Sequence, residues 1–210
     1  RVDAGRPVLA NESFSSLTVN RRLREGFSYT VVSQVPTIDA ADLDGPVDYQ
    51  DYPQVKPYLD TGTLDREVRE RAETVVEAKG ADSPFEKALA IQDYLRSPEF
   101  RYNLSVPALS AGGNQLRRFL TEVREGYCEQ FAIAMAMMAR QVGVPSRVAV
   151  GFTSGEIVDR TVQQVTTHDA HAWPELWFPG AGWVPFEPTP RADGTVTLPI
   201  YTTPAGRVTD

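Results

Sequence analysis

Three side chains in this 210-residue sequence carry thiol or imidazole chemistry: Cys128, His168 and His171. Cys128 follows Gly126 and Tyr127 and precedes the apolar run Phe131 to Ala139. It therefore falls in the first turn of a buried helix. Unpaired amides and the helix dipole there favour an anion and lower a thiol's pKa from its usual value of about 8.5. That placement makes Cys128 a candidate nucleophile. The plainer alternative is a small buried hydrophobe, which describes most free cysteines. A thiol nucleophile needs an imidazole to hold its proton, and the imidazole needs an acceptor to fix its tautomer. Both histidines lie in Thr167-His168-Asp169-Ala170-His171-Ala172-Trp173-Pro174-Glu175. His171 opens an aromatic-rich strand whereas His168 sits in polar sequence, so His171 is the expected base.

The orienting acid follows from sheet geometry. His171, Trp173, Glu175 and Trp177 share one face of a strand, and Trp183, Pro185 and Glu187 share one face of the next. If the connecting loop holds an odd number of residues, such as Pro179-Gly180-Ala181, the two faces coincide. His171 then stands opposite Thr189 and diagonal to Glu187, a Cβ separation of about 7–8 Å that a carboxylate and an imidazole can bridge. A two-residue loop would send Glu187 to the other face. Asp169 is the competing acid, although only a tight local turn would bring it to His171. A zinc site on His168 and His171 has i, i+3 spacing but lacks further ligands other than Cys128 or Asp169. Neither metal nor cofactor is expected. Glu175 and Glu187 are not placed about a groove as a glycosidase pair would be, and the three tryptophans are assigned to packing.

The elements that must position these groups are readable from periodicity. Leu64, Val68, Ala72, Val75 and Val76 mark a helix that Gly80 ends. Ser83-Pro84-Phe85-Glu86 is a capping box with Pro at the first helical position, followed by the apolar face Ala88, Ile91 and Leu95. A loop at 103–113, a short helix at 114–123, the Cys128 helix, a strand at 146–152 and a hairpin over 171–187 complete the order. Residues 26–33 read as one strand, and 154–167 as polar loop around a short strand. Helices come first and antiparallel strands after, with no βαβ alternation, so the fold class is α+β. Three segments result: 1–62, an extended part ending in an acidic, Pro-rich linker; 63–190, the core; and 191–210, a Pro/Thr-rich exit linker.

Composition excludes other classes. The net charge is −7, from 21 basic and 28 acidic residues, and no Lys/Arg-rich run offers a phosphate backbone a footprint. A nucleic-acid partner is excluded. One cysteine forbids an intrachain disulfide. The longest apolar run, Phe131 to Ala139, is about half of what spans a bilayer. The chain opens at Arg1 with no signal peptide, so it reads as a segment of something longer.

Four blocks in order resemble the transglutaminase-like core: Gly126-Tyr-Cys-Glu-Gln-Phe-Ala132, Val142-Gly-Val-Pro-Ser-Arg-Val148 with Gly151-Phe152, Asp169-Ala-His-Ala-Trp-Pro-Glu175, and Gly182-Trp-Val-Pro-Phe-Glu-Pro-Thr189. The helices at 64–123 are similar to those that precede the core in bacterial members. The resemblance implies a papain-like fold, the nucleophile helix packed on an antiparallel sheet, with Cys128 as nucleophile, His171 as base and Glu187 as acid. It departs at the third position, where the family usually carries Asp. The resemblance also implies an extracytoplasmic domain of a membrane-anchored protein, with flanking transmembrane helices in the full-length chain.

The expected chemistry is attack of Cys128 on an amide carbonyl of a protein or peptide substrate, giving a thioester. Water would resolve it as a peptidase or amidase does, and a primary amine as a transglutaminase does. The expected oxyanion donors are the Cys128 amide and one of Tyr102, Asn103 or Asn114. The alternative from another class is a non-catalytic cell-surface scaffold that retains the fold.

Overall fold

The computed structural model describes residues 2–3, 9–11, 16–18, 25–32, 37–107, 114–191 and 196–203. The chain divides into two units, 1–37 and 38–210. In the first, β1 (Val2–Asp3) pairs antiparallel with β4 (Thr30–Val31), and β2 (Leu9–Asn11) with β3 (Ser16–Thr18). The strand expected over 26–33 is thus confined to Thr30–Val31, and Ser33 lies outside the described residues. Tyr29 to Val32 are all exposed, so no buried face rewards a longer ladder.

The second unit holds the core. A short helix α1 (Ala40–Leu43) and 3-10 turns at Tyr49–Asp51 and Pro53–Leu59 occupy the acidic, Pro-rich stretch. This stretch is packed rather than a free linker. Leu43, Tyr49 and Val55 are buried, the Tyr49 hydroxyl donates to the Trp177 carbonyl at 3.1 Å, and Tyr52 and Tyr58 set their rings 4.8 and 4.6 Å from Trp177 and Trp183. Its tyrosines supply the apolar partners that its acids and prolines conceal.

Helix α2 (Arg66–Lys79) starts two residues after Leu64 because Asp65 takes the N-cap, accepting from the Glu67 amide at 2.8 Å. It stops at Gly80, whose φ of 60° is left-handed. Helix α3 (Pro84–Leu95) carries the expected capping box, with Glu86 N–H on Ser83 Oγ at 3.2 Å and Ser83 N–H on Glu86 Oε2 at 2.9 Å. Strand β5 (Arg101–Tyr102) then runs to α4 (Asn114–Arg118), which continues as a π-turn over Phe119–Val123. Strand β6 (Glu125–Gly126) pairs parallel with β5 and delivers the chain to α5 (Cys128–Gln141).

Strand β7 (Ser146–Phe152) leads to an exposed hairpin of β8 (Glu156–Asp159) and β9 (Val162–Gln164) where a polar loop is expected. Then come β10 (Ala170–Phe178) and β11 (Gly182–Pro185). The sheet order is β11-β10-β7, all antiparallel. One face of it, with Leu176, Phe178, Val184 and Phe186, joins Phe85, Ile91, Leu95, Phe131, Met135 and Met138 in a single buried cluster. Each large apolar side chain there contributes about 1.5–3 kcal/mol. The fold is α+β, as the element order implies. Part of the expected exit linker packs back, with Tyr201 6.1 Å from the Phe186 ring.

Candidate active site

Cys128 is the first residue of α5, and the approach to it is tight. A β-carbon on Gly126 would meet Gln130 Cβ at 2.9 Å and the Phe119 ring at 3.0 Å, so only glycine lets β6 pass so close to the helix. Gln130, 2% exposed, ties the turn down: its Oε1 accepts from Tyr127 N–H at 3.0 Å and its Nε2 donates to the Pro107 carbonyl at 3.2 Å. The thiol itself is half-buried.

His171 lies near the start of β10, paired with Gly151 on β7. The β10–β11 register runs Phe178↔Gly182, Trp177↔Trp183 and Glu175↔Pro185, so the loop holds the three residues Pro179, Gly180 and Ala181. The faces therefore coincide. Continued past the last ladder pair, the register sets His171 opposite Thr189 and diagonal to Glu187. The side chains meet there: His171 Nε2 and Glu187 Oε2 are 2.7 Å apart, with 5% and 4% of the two residues exposed.

With Nε2 taken, Nδ1 is left for the Cys128 side chain, with which the ring interacts. Nδ1 is fully enclosed and forms no hydrogen bond of ordinary geometry, so the thiol contact is looser than a closed hydrogen bond, as in many ligand-free thiol sites. Burial alone would push the thiol's pKa up. The His171 contact and the amides of Ala172 and Glu129 outweigh burial, and the net direction is down. For His171, burial works against the charged form. Cys128 and then Glu187 more than offset it, lifting the imidazole from 6.5 to about 9. The two shifts together favour a thiolate–imidazolium pair.

Of the other groups weighed in the sequence, His168, Asp169 and Glu175 are exposed or engaged elsewhere, whereas Tyr102 pairs with Gly126 across β5 and β6 and Asn103, the next residue, donates its N–H to the Gly126 carbonyl. His168 is exposed in a 3-10 turn. Asp169 turns away from His171, accepting from the Thr166 amide at 2.7 Å and its hydroxyl at 2.9 Å. Glu175 pairs with Arg147 Nε at 2.7 Å, and that guanidinium lies 4.3 Å from the Trp183 ring centre. Asn103 directs its amide group to Glu125 Oε2 and the Ser105 N–H, Tyr102 lies under the Arg191 guanidinium, and the Asn114 side chain is outside the described residues.

Two residues that the sequence reading passes over hold the acid. Gln92 Oε1 accepts from the Glu187 amide at 3.0 Å, and Arg96 Nη1 donates to the Glu187 carbonyl at 3.2 Å and to the Thr189 carbonyl. Gln92 stands four residues after Ala88, on the buried face of α3. A lone amide on an otherwise apolar stripe was the available signal.

Residues 70–188 match the transglutaminase-like superfamily. The chain is 38% identical over 104 residues to a protein-glutamine gamma-glutamyltransferase of Pseudomonas aeruginosa, and 39% identical over 116 residues to YebA of Bacillus subtilis, an uncharacterized protein. These alignments cover 49% and 51% of this chain but only 15% and 16% of the two relatives. The crystal structure of the periplasmic domain of TgpA from Pseudomonas aeruginosa, bound to ethylmercury, superposes with a TM-score of 0.56 at 30% identity, over 64% of this chain and 48% of that one. With more than half its length matched by the family and the cysteine, histidine and acid blocks brought to one place, the chain belongs to the transglutaminase-like superfamily.

Proposed function

We propose that this chain transfers acyl groups from glutamine side-chain amides of a protein substrate to primary amines, through a thioester on Cys128. The observation that carries this reading is the buried His171–Glu187 pair at 2.7 Å, which leaves the other ring nitrogen to the thiol. In the resting pair Cys128 is thiolate and His171 imidazolium. Sγ attacks the carboxamide carbon while the main-chain N–H of Cys128, free of an intrahelical partner at the first helical position, receives the developing oxyanion. His171 gives its proton to the departing ammonia, and the C–N bond breaks to leave the thioester. An incoming amine then loses a proton to His171, its nitrogen displaces Sγ, and the thiolate–imidazolium pair is restored. Glu187 holds the ring and stabilises its positive charge throughout.

The name of the Pseudomonas relative supports amine rather than water as acceptor. The periplasmic neighbour supports an extracytoplasmic setting. Among the described residues no helix is long and apolar enough to cross a membrane. The catalytic core in this reading is 63–190.

The test is incubation with a glutamine-containing protein and a fluorescent primary amine, following both amine incorporation and fragment release, with Cys128→Ala as control. Cys128-dependent incorporation supports transfer. Cys128-dependent fragments would replace it with hydrolysis, and no Cys128-dependent change would leave a scaffold.

A further inference from the structure

The strand that carries the acid ends before the acid does. The last hydrogen bond between β11's continuation and β10 is Phe186 N–H to the Pro174 carbonyl at 2.9 Å. Beyond it the chain reads Glu187-Pro188-Thr189-Pro190, in which the two prolines have no N–H to offer. The polar backbone groups of Glu187 and Thr189 are nonetheless buried, and buried groups of this kind need partners. Both backbone groups of Glu187 find theirs on one turn at the end of α3, which also shares the Thr189 carbonyl with the Arg191 N–H. Gln92 Oε1 takes the Glu187 N–H, and Arg96, four residues on, spans the Glu187 and Thr189 carbonyls with one guanidinium nitrogen. The Thr189 N–H closes back on Glu187 Oε1 at 2.9 Å, which leaves Oε2 for His171.

We propose that Gln92 and Arg96 are positioning residues that fix the backbone of Glu187 so that its carboxylate, one methylene longer than the family's usual Asp, meets His171 Nε2. The inference rests on the acyl-transfer reading for its catalytic consequence but not for its geometry. Gln92 is 1% exposed and Glu187 4%, so neither can exchange its partner for water without rearrangement. The ionisable groups facing His171 are Cys128 from α5 and Glu187, with the Arg96 charge behind the carboxylate. Releasing the backbone at either anchor lets the carboxylate withdraw. His171 then loses its acceptor, and Cys128 loses the imidazolium that keeps it ionised.

The experiment uses Gln92→Met, which keeps the volume and removes the acceptor, and Arg96→Met, which keeps an unbranched side chain and removes the donor to both carbonyls. Each is read by the NMR titration midpoint of His171 and the pH profile of Cys128 alkylation by iodoacetamide, neither of which needs a substrate. The His171 midpoint is expected to fall and the alkylation profile to move toward that of an ordinary thiol in both variants. In the amine-incorporation assay kcat is expected to drop about 10- to 100-fold with KM little changed, the scale of a small misplacement of catalytic groups. If both variants leave the His171 midpoint and the alkylation profile at wild-type values, the proposal is overturned. If the midpoints move but the wild type incorporates no amine, the positioning role stands and the acyl-transfer reading falls.

Discussion

Trp173 occupies the space that a side chain on Gly151 would fill. A β-carbon there would lie 2.9 Å from the end of the indole, and the same indole runs nearly parallel to the His171 imidazole, ring centres 6.1 Å apart. Gly151 pairs with His171 across β7 and β10, so the glycine, the indole and the imidazole form one contact chain on the sheet.

Gly151→Ala tests that relationship. The backbone at 151 is not left-handed, so alanine is tolerated there and the conflict is with the ring alone. Overpacking of this kind costs about 1–2 kcal/mol, or roughly 3–6 °C in Tm for a chain of this size. Displacing the indole is expected to change tryptophan fluorescence and to lower Cys128-dependent turnover. Unchanged fluorescence and turnover would show that Trp173 does not buttress His171.

Both pKa shifts act on one pH profile. Cys128 ionises below its ordinary range and His171 holds its proton up to about 9. Thiolate and imidazolium therefore coexist between the two midpoints, which belong to the pair as a whole. Turnover is expected to rise with loss of the thiol proton and to fall near pH 9 as His171 deprotonates. Iodoacetamide is expected to modify Cys128 faster than free cysteine at pH 6.5. In Cys128→Ala two of the causes that raise His171 disappear, so its NMR midpoint should move down from about 9; an unmoved midpoint would remove the thiol–imidazole contact from the site.

Glu187→Gln keeps the size and removes the charge. Loss of the buried carboxylate is expected to reduce turnover by about 100-fold or more, as it does where an acid orients a catalytic histidine, and to lower the His171 midpoint. Glu187→Asp keeps the charge and withdraws it by about 1.5 Å, one C–C bond, so it should fall between wild type and Glu187→Gln. Equal activity in all three, measured as kcat for amine incorporation, would exclude Glu187 from the relay.

The segment 38–62 is expected to be part of the fold. A chain starting at Ile38 should match the stability of the second unit, whereas one starting at Leu64 uncovers Trp177 and Trp183 and loses the Tyr49 hydrogen bond. Indole burial is worth several kcal/mol at about 25 cal/mol per Å², so Tm should drop by about 10 °C or more. Equal Tm values would return the segment to the status of a linker.

Local grammar was readable where one short stretch holds both partners: the Ser83–Glu86 box, the Gly80 stop and the Cys128 helix start. The loop length on which the meeting of His171 and Glu187 depends stayed a condition in the sequence, and the β10–β11 register supplies it. Partners far apart in sequence were not. Tyr49 with Trp177, and Gln92 and Arg96 with Glu187, lie some 90 to 130 residues apart, and only the packed structure joins them. In 36–62 acids and prolines outweighed the tyrosines that anchor it. The hydrogen bond from Asn103 to Glu125, 22 residues on, is likewise announced by nothing in its own stretch.

The most direct test is to trap the acyl-enzyme. The protein is mixed with a glutamine peptide and no amine, quenched in acid, and the Cys128-containing fragment is weighed by mass spectrometry. A thioester adduct equal to the donor peptide less ammonia, absent from Cys128→Ala and diminished in Glu187→Gln, is the expected result. An unmodified Cys128 under conditions where the amine-incorporation assay also stays silent would contradict acyl transfer and leave the chain as a scaffold bearing an unused thiol.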